Sequence, residues 1–327
     1  MTIRALITDK DGEGYATKLT NIDKADLGEG DVTISVEYST VNYKDGLALN
    51  GKRIMASYPM IGGIDLAGTV EASDSINFQP GDKVLVNGYG LSQTHNGGYS
   101  EKARVPAEWV IPLPEKFSTR DAMAIGTAGY TAMLCILALE HGGLTPASGD
   151  VLVTGANGGV GSIAISILSG LGYNVLASTG RPSEAEYLKS LGAADIVDRN
   201  SLSEPGRPIG SEKWAGAVDS VGSHTLANVL AQTKYEGVVA ACGLAQGLDL
   251  PASVAPFILR NVTLAGIDSV NAGRSKRIEA WERLAKDLDP AKLESTISEV
   301  KLEEVPGVAN AILAGKVRGR TVVNVQS

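Results

Sequence analysis

The stretch DVLVTGANGGVGSIA, Asp150 to Ala164, constrains the fold more than any other part of the chain. Three apolar residues, 151–153, run into Gly155-Ala-Asn-Gly158-Gly159-Val160-Gly161 and straight into a helical pattern that stops at Gly172. Val160, Ile163, Ala164, Ile167, Leu168 and Leu171 share one face of that helix. The rhythm then repeats: strand NVLAST, helix SEAEYLKSLG, strand DIVD, strand AGAVDSVG, helix SHTLANVLAQT, strand GVVAACG, a short helix near ASVAPFILR and strand VTLAGID. Strands joined through helices are connected right-handedly and lie parallel. The alternation therefore predicts an α/β domain over 123–269, a doubly wound parallel sheet covered on both faces.

The rest of the chain reads differently. Residues 1–122 hold short strand patterns such as IRALIT, DVTISVEYS, LAGTVEAS, DKVLVNG and EKARVPAEWVIPL, separated by Gly and Pro turns. That spacing predicts a β-rich, barrel-like domain. The tail, 270–327, offers helices at SKRIEAWERLAKDL and VPGVANAILAG and a last strand, RTVVNVQ, and is expected to pack back onto the β-rich part. A chain of 327 residues is long enough for two such cores. Its net charge of −8 argues against nucleic acid as a partner. No run approaches the ~20 apolar residues of a membrane span, and MTIRALITDKDGEG lacks a secretory apolar core. Cytoplasm is the expected compartment. Cys135 and Cys242 lie apart in sequence, and His95, His141 and His224 are scattered. No metal-ligand spacing joins them, so no metal is expected.

The glycine turn carries chemistry. A bare Gly158 lets a pyrophosphate approach the backbone, the helix start at Gly159 and Val160 offers N–H groups, and Gly161 lets helix and strand touch. Ala156 stands where the first glycine of G-x-G-x-x-G belongs. The second strand of the domain ends on Ser178, Thr179, Gly180 and Arg181. A carboxylate there would hold the ribose 2′-OH of NAD; hydroxyls and a guanidinium suit a 2′-phosphate instead, so NADPH is the expected cofactor. Arg199 covers the adenine, reaches the same phosphate, or is a solvated loop arginine.

One cluster remains to be placed. TVNYKDGLALNG sets Asn42, Tyr43, Lys44 and Asp45 side by side between two apolar segments, as either a polar turn or a working site. Together with PMIGGIDLAGTV, GTAGYTAMLC, YLKSLGA, WAGAVDSVG, VVAACGLA and PFILRNVTLAGIDSV, it resembles the acrylyl-CoA reductase group of the medium-chain dehydrogenase/reductase superfamily, over essentially the whole chain. The resemblance implies a Rossmann-type sheet plus a GroES-like β-rich domain. It also implies NADPH-dependent reduction of the C=C bond of acrylyl-CoA to propionyl-CoA, with hydride reaching the β-carbon. Asn42 and Tyr43 would face nicotinamide and substrate, with Lys44 or Asp45 holding Tyr43 or forming a surface ion pair. Thr127, Gly243 and Ser269 would also contact the cofactor. Zinc-dependent members carry a Cys at position 42 and a His at 64; Asn42 and Ile64 stand there, so two ligands are missing. Arg274, Lys276, Arg277, Arg318 and Arg320 are candidates for coenzyme A phosphates. A homodimer through the last nucleotide-domain strand is implied as well. The alternatives are a zinc-free NADPH quinone oxidoreductase and an NADPH-binding sensor or structural protein without catalysis.

Overall fold

The computed structural model describes residues 2–327. Its first stretch runs β1 (Ile3–Asp11), β2 (Gly14–Ile22), β3 (Val32–Val41), α1 (Tyr43–Leu49), β4 (Met60–Ile61), β5 (Asp65–Ser73), β6 (Lys83–Asn87), β7 (Lys102–Val105), β8 (Ile111–Pro112) and α2 (Thr119–His141). Then follow β9 (Val151–Val153), α3 (Gly159–Gly170), β10 (Val175–Thr179), α4 (Ala185–Leu191), β11 (Asp195–Asp198), β12 (Trp214–Asp219), α5 (Ser223–Ala231), β13 (Thr233–Ala241), α6 (Ala255–Arg260) and β14 (Thr263–Gly266). The chain closes with α7 (Arg274–Asp287), α8 (Pro290–Glu294), β15 (Ile297–Lys301), α9 (Val305–Leu313) and β16 (Arg320–Asn324).

Two compact units result. One comprises residues up to Thr127, Val270–Trp281 and Thr296–Ser327; the other comprises Ala128–Ser269 and Glu282–Ser295. In the first, a sheet ordered β15-β16-β3-β5-β6-β8, with β7 also on β3, accompanies a three-stranded sheet ordered β2-β1-β4. β3 anchors this unit because it pairs with β16, β5 and β7. Its inward residues Val32, Ile34 and Val36 are fully buried beside Leu66, Val84 and Val323. The sequence pattern groups the whole tail with this unit, yet 282–295 cluster with the second. A charge network accounts for that: Arg283 on α7 pairs with Glu140 on α2 at 2.8 Å and with Asp287 at 2.6 Å. β15 is a strand that the polar sequence ISEVK does not announce; it is held by parallel pairing to β16.

The second unit is a six-stranded parallel sheet ordered β11-β10-β9-β12-β13-β14. Order reverses between β9 and β12, the switch point at which such sheets open a crevice beyond their strand ends. β9 and β12 are buried along their whole length, as strands covered on both faces must be. α3 is buried almost all round from Gly161 to Leu168, rather than along the single face its sequence suggests. A Cβ on Gly161 would lie 2.5 Å from Gly155 O and 2.6 Å from Ala156 Cα, so only glycine admits this close helix–turn contact.

One helix, Thr119–His141, is long and apolar enough to cross a membrane by length and composition, contrary to the expectation that none is. In this fold 89% of its apolar window is buried inside the protein. It is also broken at Gly126, whose φ of 51° and ψ of −163° are open essentially to glycine alone. A Cβ there would meet Arg320 Nη2 at 2.6 Å and Thr40 Cγ2 at 2.9 Å. Gly126→Ala is therefore expected to cost about 2–4 kcal/mol of stability, combining backbone strain with the clash. Urea unfolding measures it, and a loss below about 0.5 kcal/mol would show that the break is not a constraint.

Candidate active site

The Asn42–Asp45 cluster is neither a turn nor a surface patch. Asn42 is extended, with φ −110° and ψ 166°, and caps α1, which begins at Tyr43. Asp45, the third helical residue, reaches back so that its Oδ2 accepts from Asn42 N at 2.8 Å and Asn42 Nδ2 at 3.1 Å. Its Oδ1 accepts from Ile64 N at 2.9 Å. Asp45 is wholly buried, which removes it as a surface ion-pair partner. Lys44 Nζ instead donates to Gln93 Oε1 at 2.9 Å. Only Tyr43 keeps substantial exposure, 41%.

Behind α1 lies a sealed polar cluster. Asp65, at the start of β5, accepts from Asn42 Nδ2 at 2.8 Å, Asn87 Nδ2 at 2.8 Å, Thr127 N at 2.9 Å and Thr127 Oγ1 at 2.6 Å. The buried Arg320 guanidinium donates to Ala124 O at 2.7 Å, Thr40 Oγ1 at 2.8 Å and Asn42 Oδ1 at 3.3 Å. The amide of Asn42 is thus engaged by protein groups on both its atoms. Burial first, then the neighbouring charge of Asp65, pushes the Asp45 carboxyl up to about 7, against the pull of its N–H donors. Burial likewise lifts the Tyr99 phenol well above its usual range, with Asp45 and Asp65 adding to it. Tyr99 Oη donates to Thr40 O at 3.1 Å.

This cluster does not fit a zinc ion, which takes thiolate, imidazole or carboxylate ligands. The amide at position 42 has both atoms engaged, and a guanidinium already occupies the cationic place beside it. Among the described residues no group of three or more His, Cys, Asp or Glu is arranged to hold a metal.

In the second unit the loop residues lie at the ends of the sheet strands and at the start of α3. α3 is capped by Gly158, which has no side chain to satisfy the first-turn N–H groups of Gly159, Val160 and Gly161. A Cβ added to Gly158 would meet only Gly155 O, at 3.3 Å, so its outer side is open. Ser178 and Thr179 end β10 and are buried. The Thr179 hydroxyl donates to Asn157 Oδ1 and accepts from Arg181 N, so it shapes the loop rather than presenting a donor. Arg199 is brought to Gly180, where a Cβ would stand 2.6 Å from its Cζ. Gly243 and Ser269 follow the ends of β13 and β14.

Two residues here escape the sequence pattern. Asn157 Nδ2 is buried with no acceptor among the described residues. Asp219, raised by burial, accepts from Thr154 Oγ1 at 2.7 Å and Gly222 N at 2.8 Å, tying β9 to β12 at the switch point. The open Gly158, the orphaned Asn157 amide and Arg199 set against Gly180, next to Arg181 in the chain, fit a dinucleotide carrying a 2′-phosphate; no carboxylate stands at the end of β10.

Among the coenzyme A candidates, Arg277 and Arg320 are excluded. Arg277 is buried, donates to Ala272 O and Asn87 O, and stacks 3.8 Å from the Tyr89 ring centroid. Arg320 serves the cluster described above. Arg274 donates to Val110 O at 2.6 Å, while Lys276 and Arg318 are exposed.

Residues 28–115 match the alcohol dehydrogenase GroES-like domain, and residues 159–286 match the zinc-binding dehydrogenase model. Acrylyl-CoA reductase AcuI of Ruegeria pomeroyi is 54% identical over 327 residues, covering 99% of each chain. The chain belongs to the medium-chain dehydrogenase/reductase superfamily. The putative quinone oxidoreductase YhfP of Bacillus subtilis is 45% identical over 98% of each chain. The yhdH oxidoreductase of Salmonella enterica, solved in complex with NADP, superposes with a TM-score of 0.97 at 48% identity, covering 98% of this chain and 99% of that one. The fold is thus the superfamily's GroES-like domain plus a Rossmann-type sheet.

An unfolded aspartate ionises near pH 4, whereas Asp45 does so at about 7. The folded protein holds the extra proton across that window, so this group's contribution to stability falls as pH rises from about 4 to about 7. Relative to Asp45→Asn, the wild-type urea midpoint is expected to decline over that range and run parallel above it. A constant difference would show Asp45 ionised throughout.

Proposed function

We propose that this protein is an NADPH-dependent reductase of the C=C bond of acrylyl-CoA, yielding propionyl-CoA, and that it works without a metal. The observation that carries the cofactor is the end of β10, where Thr179, Gly180 and Arg181 meet Arg199 and no carboxylate intervenes. The full-length likeness to an acrylyl-CoA reductase supports the substrate.

When bound, NADPH supplies the hydride that reaches the β-carbon of the enoyl thioester, and a proton from water or a side chain completes the α-carbon. The chain's own residues bind and orient. Arg181 and Arg199 hold the 2′-phosphate by charge-assisted hydrogen bonds, and Arg181 chooses NADPH over NADH. Asn157 Nδ2 and the bare first turn of α3 take the pyrophosphate and its ribose oxygens. As charge develops on the thioester oxygen, a donor fixed beforehand lowers the barrier more than a mobile one. Tyr43, exposed at the head of a helix whose base is clamped by Asp45, is that donor. Orientation of this kind is worth up to ~7–11 kcal/mol.

A homodimer is part of the proposal. β14 is an edge strand of the parallel sheet, and Val254, Ile258 and Leu259 near it are 63–74% exposed. Unpaired edges and apolar patches are normally covered; a monomer by sedimentation equilibrium would remove this element.

With NADPH, turnover of acrylyl-CoA is expected to exceed that of a small quinone at least tenfold, and Tyr43→Phe to lower kcat about tenfold or more. Predominant quinone reduction would favour the quinone oxidoreductase reading, and no oxidation of NADPH by either would leave a binding protein. Arg181→Ala is expected to weaken NADPH about 10–100-fold, as losing a hydrogen bond to a charged group does, and NADH under threefold. Equal losses, read by cofactor fluorescence, would displace the 2′-phosphate from Arg181.

A further inference from the structure

A single carboxylate in the first unit accepts four hydrogen bonds. The four hydrogen bonds on Asp65 come from three segments: Asn42 at the head of α1, Asn87 at the end of β6, and Thr127 at the break in α2, through both its N–H and its hydroxyl. All four partners are donors, and two oxygens with about four lone-pair sites are filled by them. An amide of the same shape would turn an NH₂ towards two of those donors. The backbone is held too, since Asp65 O accepts from Ser39 Oγ at 2.7 Å.

Burying a carboxylate is expensive unless it is paired and hydrogen-bonded. The countercharge is Arg320, whose Nη1 shares Asn42 with Asp65 and whose Nη2 packs against Gly126, one residue before Thr127. A well-packed apolar cluster would stabilise a fold at least as well as buried ions. What buried ions do better is fix directions, and the directions fixed here are those of Asn42, adjoining Tyr43, and Thr127.

We propose that Asp65 is a positioning residue for the reduction: its buried carboxylate, with Arg320 as countercharge, locks the head of the Tyr43 helix and Thr127 into one rigid arrangement. This rests on the reductase reading above. Asp65 touches neither substrate nor cofactor; it acts through Asn42 and Thr127.

The test uses the full chain with Asp65→Asn, Thr127→Val and the double variant. Two quantities are read: the single-turnover rate with NADPH and acrylyl-CoA, and the hydrogen-exchange protection of the Thr127 and Asn42 amides without any ligand. Asp65→Asn is expected to slow the turnover at least 30-fold, leave the NADPH dissociation constant within threefold, and lower Thr127 protection at least tenfold. Thr127→Val is expected to lose about tenfold in rate, and the double variant to be no slower than Asp65→Asn, because both changes break one unit. A merely structural aspartate would give multiplying losses, or losses that follow the fraction unfolded, and either result overturns the proposal. If Asp65→Asn does not fold, a Thr127→Val rate within twofold of wild type overturns it instead. Failure of the wild type to reduce acrylyl-CoA would sink the substrate reading alone; unchanged Thr127 protection in Asp65→Asn would sink the positioning role alone.

Discussion

A guanidinium sealed from water must find acceptors within reach, and Arg320 finds them in Ala124, Thr40 and Asn42. The need is mutual, because Asp45 and Asp65 are equally cut off from solvent and would repel each other without a cation nearby. Satisfying these three buried ionisable groups at once fixes the start of β5, the head of α1, the end of β3 and the break in α2 relative to one another. A guanidinium engaged on its own protein acts as a scaffold, and it leaves the phenol of Tyr43 exposed at the head of α1.

The second unit solves a different problem, how to hold a large anion without a permanent charge beneath it. Glycines bring backbone N–H groups to the surface at α3, and β10 delivers Arg181 to the rim. Thr179 and Asn157 brace that rim from inside. The glycines leave backbone N–H groups bare at the start of α3.

Periodic features were legible in the sequence. The βα alternation from Asp150 onward, the glycine turn and the β-rich first part are local patterns, and the strands and helices fall close to where those patterns place them. What was not legible depends on long-range pairing. Arg277 and Arg320 read as surface basic residues in GRSKRIE and KVRGR, yet both are buried, because acceptors roughly two to three hundred positions away in the chain claim them. Asn42 points inward for the same reason. Asp65 reads only as a missing ligand, since nothing in GGIDLAG announces that Asn87 and Thr127 will converge on it. The division of the tail at Glu282 is set by the pairing of Arg283 with Glu140, another contact across distant sequence.

The placement of β16 has a bearing on how the molecule is made. This strand lies inside the first unit's sheet, between β15 and β3, and it brings in Arg320, 280 positions after the Thr40 that it bonds. During synthesis the second unit's sheet strands, β9 to β14, emerge well before it, and domains form as their residues become available. The N-terminal strands must therefore wait, with one flank of β3 unpaired and two acids uncompensated, until a segment 280 positions beyond Thr40 has been made. A late-made strand closes an early-made sheet.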